Sequence, residues 1–134
     1  MNSISSRGVY GLAAMHVLSR SRDQKPMQVK EIAAMTSISH SYLEQILASL
    51  RKAGLVQSIR GAHGGYRLSR PAHEVSVLVI IEALEGTLWK IEGNVGSSVI
   101  LEYFWQDVHE KMRKLLTLKL SELDQAFQPY HYQI

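Results

Sequence analysis

The chain has 134 residues, a formal net charge of +3 and 46% hydrophobic residues, which is enough for one packed domain with an appended element and argues against a disordered chain. It contains no cysteine, which removes disulfides, cysteine-ligated zinc, thiolate-held iron–sulfur clusters and thiol redox sensing. No apolar run approaches the ~20 residues that span a membrane, and the polar start "MNSISSRG" lacks a signal-peptide pattern, so a soluble cytoplasmic protein is expected.

The charge is unevenly placed. Residues 1–70 hold ten Lys/Arg against three Asp/Glu, whereas 71–134 hold five against nine. A basic half joined to an acidic half fits a protein whose one end meets a polyanion; ordinary surface charge gives the same count.

Residues 5–20, "SSRGVYGLAAMHVLSR", read as a helix, with Val9, Leu12, Ala13, Met15, His16, Val17 and Leu18 covering one broad face. Gly8 and Gly11 weaken it by about 1 kcal/mol each relative to alanine. After the break at Pro26, Val29, Ile32 and Ala33 give a short amphipathic helix over 28–35. "TSIS" interrupts it. Leu43, Ile46, Leu47 and Leu50 then recur at helical spacing and face inward. Ser39 or Ser41 is placed to cap this second helix, and Ser41 with Glu44 has capping-box spacing. Gly54 ends it, and Lys52 suits its negative end. Two helices joined by a short turn fit a helix-turn-helix, an outline that ordinary helical hairpins share.

The next segment, "LVQSIR", alternates as a half-buried strand does, with Leu55, Gln57 and Ile59 on one side and Val56 and Ser58 on the other. "GAHGG" makes a bend and "YRLS" returns as a second strand. A loop that cradles phosphate normally connects a strand to a helix. Here a strand-like segment follows the glycines, and no Lys-Ser/Thr pair is present. Helix, turn, helix and hairpin is the order of a winged helix, so the glycine loop is expected to be the tip of a wing.

"VSVLVIIEALE" (75–85) reads as a further helix, capped by Ser76, burying Ile80, Ile81 and Leu84, and ended by Gly86. "GTLWKIEGNVGSS" is irregular, and connectors of this length are often functional. A long helix starts at Ser98. Its Leu101, Phe104, Trp105, Val108, Met112, Leu115 and Leu116 fall at spacings of three and four. That stripe runs further than a small winged domain can cover. Its simplest burial is against the same helix of a second copy, the alternative being packing on the first helix of its own chain. "SELDQAF" reads as a short closing helix capped by Ser121, and the tail "QPYHYQI" carries no assignable chemistry. The expected fold is mainly α with a small β-hairpin: a winged helix-turn-helix domain over 1–86, a connector over 87–97, and a dimerisation helix with a C-terminal tail over 98–134.

The strings "SYLEQ", "LRKAGLV", "SIRGAHGGY" and "IIEALEG", with the opening "SSRGVYGL", resemble the Rrf-two family of bacterial transcription regulators. The resemblance covers residues 1–86 by motif and the long helix by position. It implies a homodimer that binds a pseudo-palindromic operator in double-stranded DNA, acting as a repressor. The second helix of the motif enters the major groove, the wing reaches the neighbouring minor groove, and the long helix pairs the subunits. Cluster-binding members carry three cysteines in the loop after "EALEG"; this loop has none. The chain is thus closest in character to the cluster-free, CymR-type branch. No cofactor is expected, and a partner protein or a small-molecule effector is left as the source of regulation.

Ser39, His40, Ser41, Tyr42, Glu44 and Gln45 occupy the first two turns of the recognition helix, the part that reaches base edges in such motifs. Gln45 suits a bidentate bond to adenine, and Glu44 suits cytosine N4 or the capping box of Ser41. Ser39 and Tyr42 suit phosphate, and Tyr42 equally suits partial core packing. Arg60 and Gly61 stand where the wing turns, and an arginine there fits a narrow minor groove. His63 at the tip is a further contact or a plain loop residue. Arg7, Lys30, Arg51 and Arg67 are phosphate candidates or solvated surface. Leu101, Phe104, Trp105, Val108, Met112 and Leu115 are the dimerisation candidates.

The six histidines (His16, His40, His63, His73, His109 and His131) show no short metal-ligand spacing, and no serine–histidine–acid grouping is recognisable. Neither a metal site nor an enzyme is expected. Two other readings stand beside DNA binding. One is a protein-interaction module; the other is a small-molecule sensor with its pocket near Trp89 and Trp105.

Overall fold

A computed structural model describes residues 3–128. Ser5 caps the first helix, α1 (Ser6–Ser19), by accepting the Arg7 N–H at 3.2 Å. The buried face of α1 differs from the apolar face expected from the sequence. Gly8 and Gly11 are buried with Ala14, Met15 and Leu18, while Val9 is 53% exposed. The glycines mark the crossing of α4 (Val77–Glu85): a Cβ at Gly11 would overlap Leu84, and one at Gly8 would lie 3.1 Å from Glu85 Cγ. Close helix packing offsets their cost in helix propensity. The Glu85 carboxylate crowns this crossing. It accepts the N–H groups of Ser5 and Gly8, each at 3.1 Å, and the Ser5 hydroxyl. The Ser5 hydroxyl, followed by those amides, holds the carboxyl below its ordinary range against the opposing effect of burial.

Helix α2 (Val29–Thr36) begins where the Gln28 N–H donates to Glu31 Oε1 at 3.1 Å, and it stops at Ser37, whose φ is 60°. Ile38 is buried in the turn. Ser39 then caps α3 (His40–Lys52), accepting the Tyr42 N–H at 3.3 Å. The alternative cap fails. Ser39 has the extended backbone that an N-cap needs, whereas Ser41 already lies inside the helix. The Ser41–Glu44 capping box therefore does not form, and Glu44 Oε1 instead meets His40 Nδ1 at 2.8 Å. Leu43, Ile46, Leu47 and Leu50 are fully buried. Gly54, at φ 78°, ends the helix, and the Leu55 N–H returns to the Leu50 carbonyl at 2.9 Å.

Strands β1 (Val56–Ile59) and β2 (Gly65–Leu68) pair antiparallel, Val56 opposite Leu68 and Ile59 opposite Gly65. The expected alternation in the first strand does not hold. Leu55 and Val56 are both buried, and Gln57 and Ser58 are both exposed. The base of the hairpin enters the core while its outer part extends into solvent, so the strand has no continuous inner face. Met27 extends the pairing, donating its N–H to Tyr66 O at 2.9 Å and accepting the Tyr66 N–H at 2.7 Å. This approach leaves no room at the second strand's start. A Cβ at Gly65, where φ is 136°, would overlap the Met27 carbonyl oxygen, and one at Gly64 would overlap that of Ile59.

Ser76 caps α4 by accepting the Val79 N–H at 3.2 Å. Ser98 caps α5 (Val99–Lys114). The chain then doubles back. The carbonyls of Leu116 and Leu118 accept the N–H groups of Leu78 and Val77 at 2.7 and 2.8 Å, and Val75 O accepts the Leu120 N–H at 2.8 Å. Leu120, 1% exposed, packs in the main core with Met15, Leu18, Ile32 and Ile46. Part of the 98–134 segment thus completes the core of the winged domain. Ser121 lies within a single 3-10 turn, Leu120–Glu122, and is not a cap; the Lys119 N–H is held instead by Glu122 Oε1 at 2.8 Å. The closing helix α6 (Leu123–Ala126) is fastened to α1 by Asp124 Oδ1, 2.9 Å from His16 Nε2. Tyr130, His131 and Tyr132 lie outside the described residues. No helix among the described residues is long and apolar enough to cross a membrane.

An ion pair joins the winged domain to α5. Glu82 accepts from Arg113 Nη2 at 2.7 Å and Nε at 3.3 Å, and also takes the Leu88 N–H at 3.0 Å. Burial pushes the Glu82 carboxyl up, but the Arg113 and Leu88 bonds prevail and hold it below the usual carboxylate range. A carboxyl lowered in the folded state stabilises above its unfolded pKa, and that contribution is lost as pH falls through the folded pKa. Glu82→Gln is expected to lower Tm at pH 7 by a few degrees, since ~1 kcal/mol moves Tm by roughly 2–8 °C for domains of this size. The gap to wild type should close in thermal melts taken progressively below the ordinary carboxyl value of 4.5.

Candidate nucleic-acid interface

Helix α3 buries Leu43, Ile46, Leu47 and Leu50 along one side. The 3.6-residue period places Ser41, Gln45, Ala48 and Lys52 on the opposite side, and all four are exposed. This outward ridge is held rigidly, because the face behind it is fully packed. Ala48 and Lys52 were not expected as site residues. Counting from the buried leucines would have found them: Ala48 is small enough for close approach, and Lys52 adds a charge. Glu44 lies beside the ridge, engaged by His40.

Tyr42 sits on the flank facing α1. Its hydroxyl is 3.2 Å from Ser6 Oγ, and its ring meets Tyr10 edge-on with centroids 5.8 Å apart. It is partly packed against the core, and its polar tip remains at the surface. Arg7, on α1, donates to the Ser49 hydroxyl and so reaches α3. Lys30 and Arg51 are exposed. Arg60, Gly61 and His63 are exposed on the wing, Arg60 just beyond the end of β1. Arg67 is partly engaged, its Nε–H donating to Gln57 Oε1 at 3.1 Å. Gln28 Nε2 lies 3.4 Å from Ala62 O, which links the wing tip to the start of α2.

The α5 stripe divides in two. Ile100, Leu101, Phe104 and Leu115 are exposed. Val108, half-buried, continues the line from Phe104 one turn on. Met112, Arg113 and Leu116 are half-buried, Leu116 against the Leu88 cluster and Arg113 on Glu82, with His109 Nε2 3.2 Å from the Leu88 carbonyl. Trp105 stands one turn before His109 on this inner side and is 42% exposed. The helix thus has an inner edge that grips its own chain and an outer apolar edge. Leu88, expected to be part of an irregular connector, is buried and anchors it.

Helix, turn, helix and hairpin, with an exposed ridge on the second motif helix and basic residues on the wing, define a winged helix-turn-helix protein. The chain belongs to the Rrf2 family, whose model, described as an iron-dependent transcriptional regulator, matches residues 4–127. It is 35% identical over 113 residues to the HTH-type transcriptional regulator CymR of Bacillus subtilis, covering 84% of this chain and 82% of that one. It is 34% identical over 127 residues to the regulator IscR of Vibrio campbellii, covering 90% and 76%. The solved structure of CymR (YrzC), the global cysteine regulator of B. subtilis, superposes with a TM-score of 0.82 at 33% identity, covering 96% of this chain and all of that one. The protein is accordingly a helix-turn-helix transcriptional regulator.

The family's iron dependence does not fit the donors present. A cluster needs thiolates, and the sequence has no cysteine. Among the described residues no three His, Asp or Glu side chains converge as metal ligands.

Proposed function

We propose that the protein is a homodimeric repressor that binds a pseudo-palindromic operator in the cytoplasm without a cluster. The observation that carries this reading is the exposed Ser41–Gln45–Ala48–Lys52 ridge, backed by a fully buried face and followed directly by an arginine-bearing wing. Gln45 reads a base edge in the major groove, with Ser41 beside it. Ser39, Tyr42, Arg7, Lys30, Arg51 and Lys52 position the helix on phosphates. Arg60 enters the minor groove, with Gly61 and His63 at the tip of the wing. The outer edge of α5 pairs with that of a second copy. Repression requires only occupancy, which a dimer spanning two half-sites supplies.

The test is selection of bound genomic fragments followed by titration of a selected duplex at several salt concentrations. Specific binding should weaken steeply with salt. Gln45→Ala should cost about 1–3 kcal/mol on the operator and relax one base position. Arg60→Ala should weaken the operator more than random DNA. Arg51→Ala should weaken both alike and lower the salt slope by about one unit. Equal losses on specific and random DNA for all three would rule out this division of roles.

A further inference from the structure

We infer that the cavity between the connector and the upper turns of α5 is an effector site for a small organic cation with an apolar body. The cavity holds about 580 Å³, within the roughly 300–1,000 Å³ of small-molecule sites. Trp105 and Ile91 are among its apolar lining residues, with Glu92, Glu102 and His109 beside them. Trp105 lies on the inner edge of α5, yet it remains 42% exposed. Two turns further on, that same edge is covered by the chain. The Trp105 ring meets Phe104 edge-on with centroids 4.9 Å apart, and an indole that lines a cavity attracts a cation to its face through its quadrupole.

The charges point the same way. Glu92 and Glu102 both line the cavity, and neither pairs with an arginine among the described residues. Lys90 also lines the cavity, which leaves two carboxylates against one ammonium. An anion would meet that surplus unfavourably, and a neutral ligand would forgo the cation–π term. The backbone beside the cavity is strained as well. Trp89, a bulky residue, holds a φ of 54°, and such strain gathers at ligand and switch sites.

The position supplies a route to control. One wall belongs to the connector and the other to α5, and the anchors below it are the Leu88–His109 contact and the Glu82–Arg113 pair. A ligand that bridges the two walls favours one inclination of α5 to the winged domain. It changes DNA affinity only by binding that inclination more tightly than others. This regulatory consequence rests on the DNA-binding reading; occupancy of the cavity does not.

The test uses three probes of similar size: 2-phenylethylammonium, 2-phenylethanol and phenylacetate. Each is titrated into full-length Trp89→Phe protein, where Trp105 is the remaining indole, and into unaltered protein by calorimetry in case that variant folds poorly. The ammonium should perturb Trp105 saturably and bind at least tenfold more tightly than the alcohol, and phenylacetate should not saturate. Glu92→Gln combined with Glu102→Gln should weaken the ammonium tenfold or more, while Glu110→Gln, elsewhere on α5, should not. Equal response to the three probes, or indifference to the double substitution, overturns the site. Saturating ammonium should also shift affinity for a selected operator duplex at least threefold; an unchanged affinity overturns the effector role. Absence of DNA binding in the unliganded protein would instead defeat the functional reading, and the probe titrations would still report on the cavity.

Discussion

Phe104→Glu is expected to turn a dimer into a monomer and to remove most operator affinity. Phe104 is half-exposed in the isolated chain, in line with Ile100 and Leu115 on the outer edge of α5. None of the three contributes to either buried cluster. A carboxylate there leaves the monomer core intact but would sit unpaired in an apolar seam, which costs several kcal/mol. Loss of pairing also releases the two half-sites from each other. Tethering is worth roughly 10²–10⁴ in affinity, so binding should fall by about that factor. Sedimentation velocity at micromolar concentration and anisotropy on operator DNA measure the two effects. Leu116→Glu separates the two edges of the helix: the leucine side chain packs against the Val77, Leu78, Ile81 and Leu88 cluster of its own chain, so the substitution should lower Tm. A wild-type protein that sediments as a monomer would refute the pairing.

Gly64→Ala is expected to disable the wing while sparing the body. The added methyl group would overlap the backbone carbonyl of Ile59, an atom that cannot move aside as a side chain can. The hairpin must open, and the exposed Arg60–His63 tip loses its place. The main core draws on the hairpin through Val56 and Leu68 at its base, with Tyr66 partly buried against it, so the helices should survive. Circular dichroism should change little, Tm should fall modestly, and operator affinity should drop on the order of tenfold to a hundredfold if the wing supplies a charge-assisted contact. Gly61→Ala is the comparison. Its φ of 108° strains an alanine, but the space around it is open, so the cost should be nearer 1 kcal/mol. Similar losses for the two variants would mean that the Gly64 clash is relieved and that the wing does not depend on it.

The order of elements was legible because each leaves a local signature. Leu43, Ile46, Leu47 and Leu50 repeat at the helical period, and Gly54 stops that helix by a conformation other residues resist. The hairpin was legible from its glycines, though its strands begin one residue away from the expected positions. The site was partly legible: Gln45 and Arg60 could be placed from their elements alone. The Ser39 cap could not be chosen over Ser41, because capping depends on one residue's backbone angles and both serines sit beside the helix start.

By itself the sequence determined the winged helix-turn-helix order, the family, the basic half and the absence of thiolate chemistry, all of which depend on residue type and spacing along one element. Tertiary structure alone decided which side of each element is covered. Gly8 and Gly11 became a helix crossing through the approach of α4, and Leu120 entered the core through the return of a segment about a hundred residues from its neighbour Met15. The α5 stripe, continuous in the sequence, split into an inner edge fixed by Glu82 and Leu88 and an outer edge left open. A helical period records that a residue is apolar. It does not record whether the surface that covers it belongs to the same chain or to another, because that depends on contacts between residues far apart in sequence.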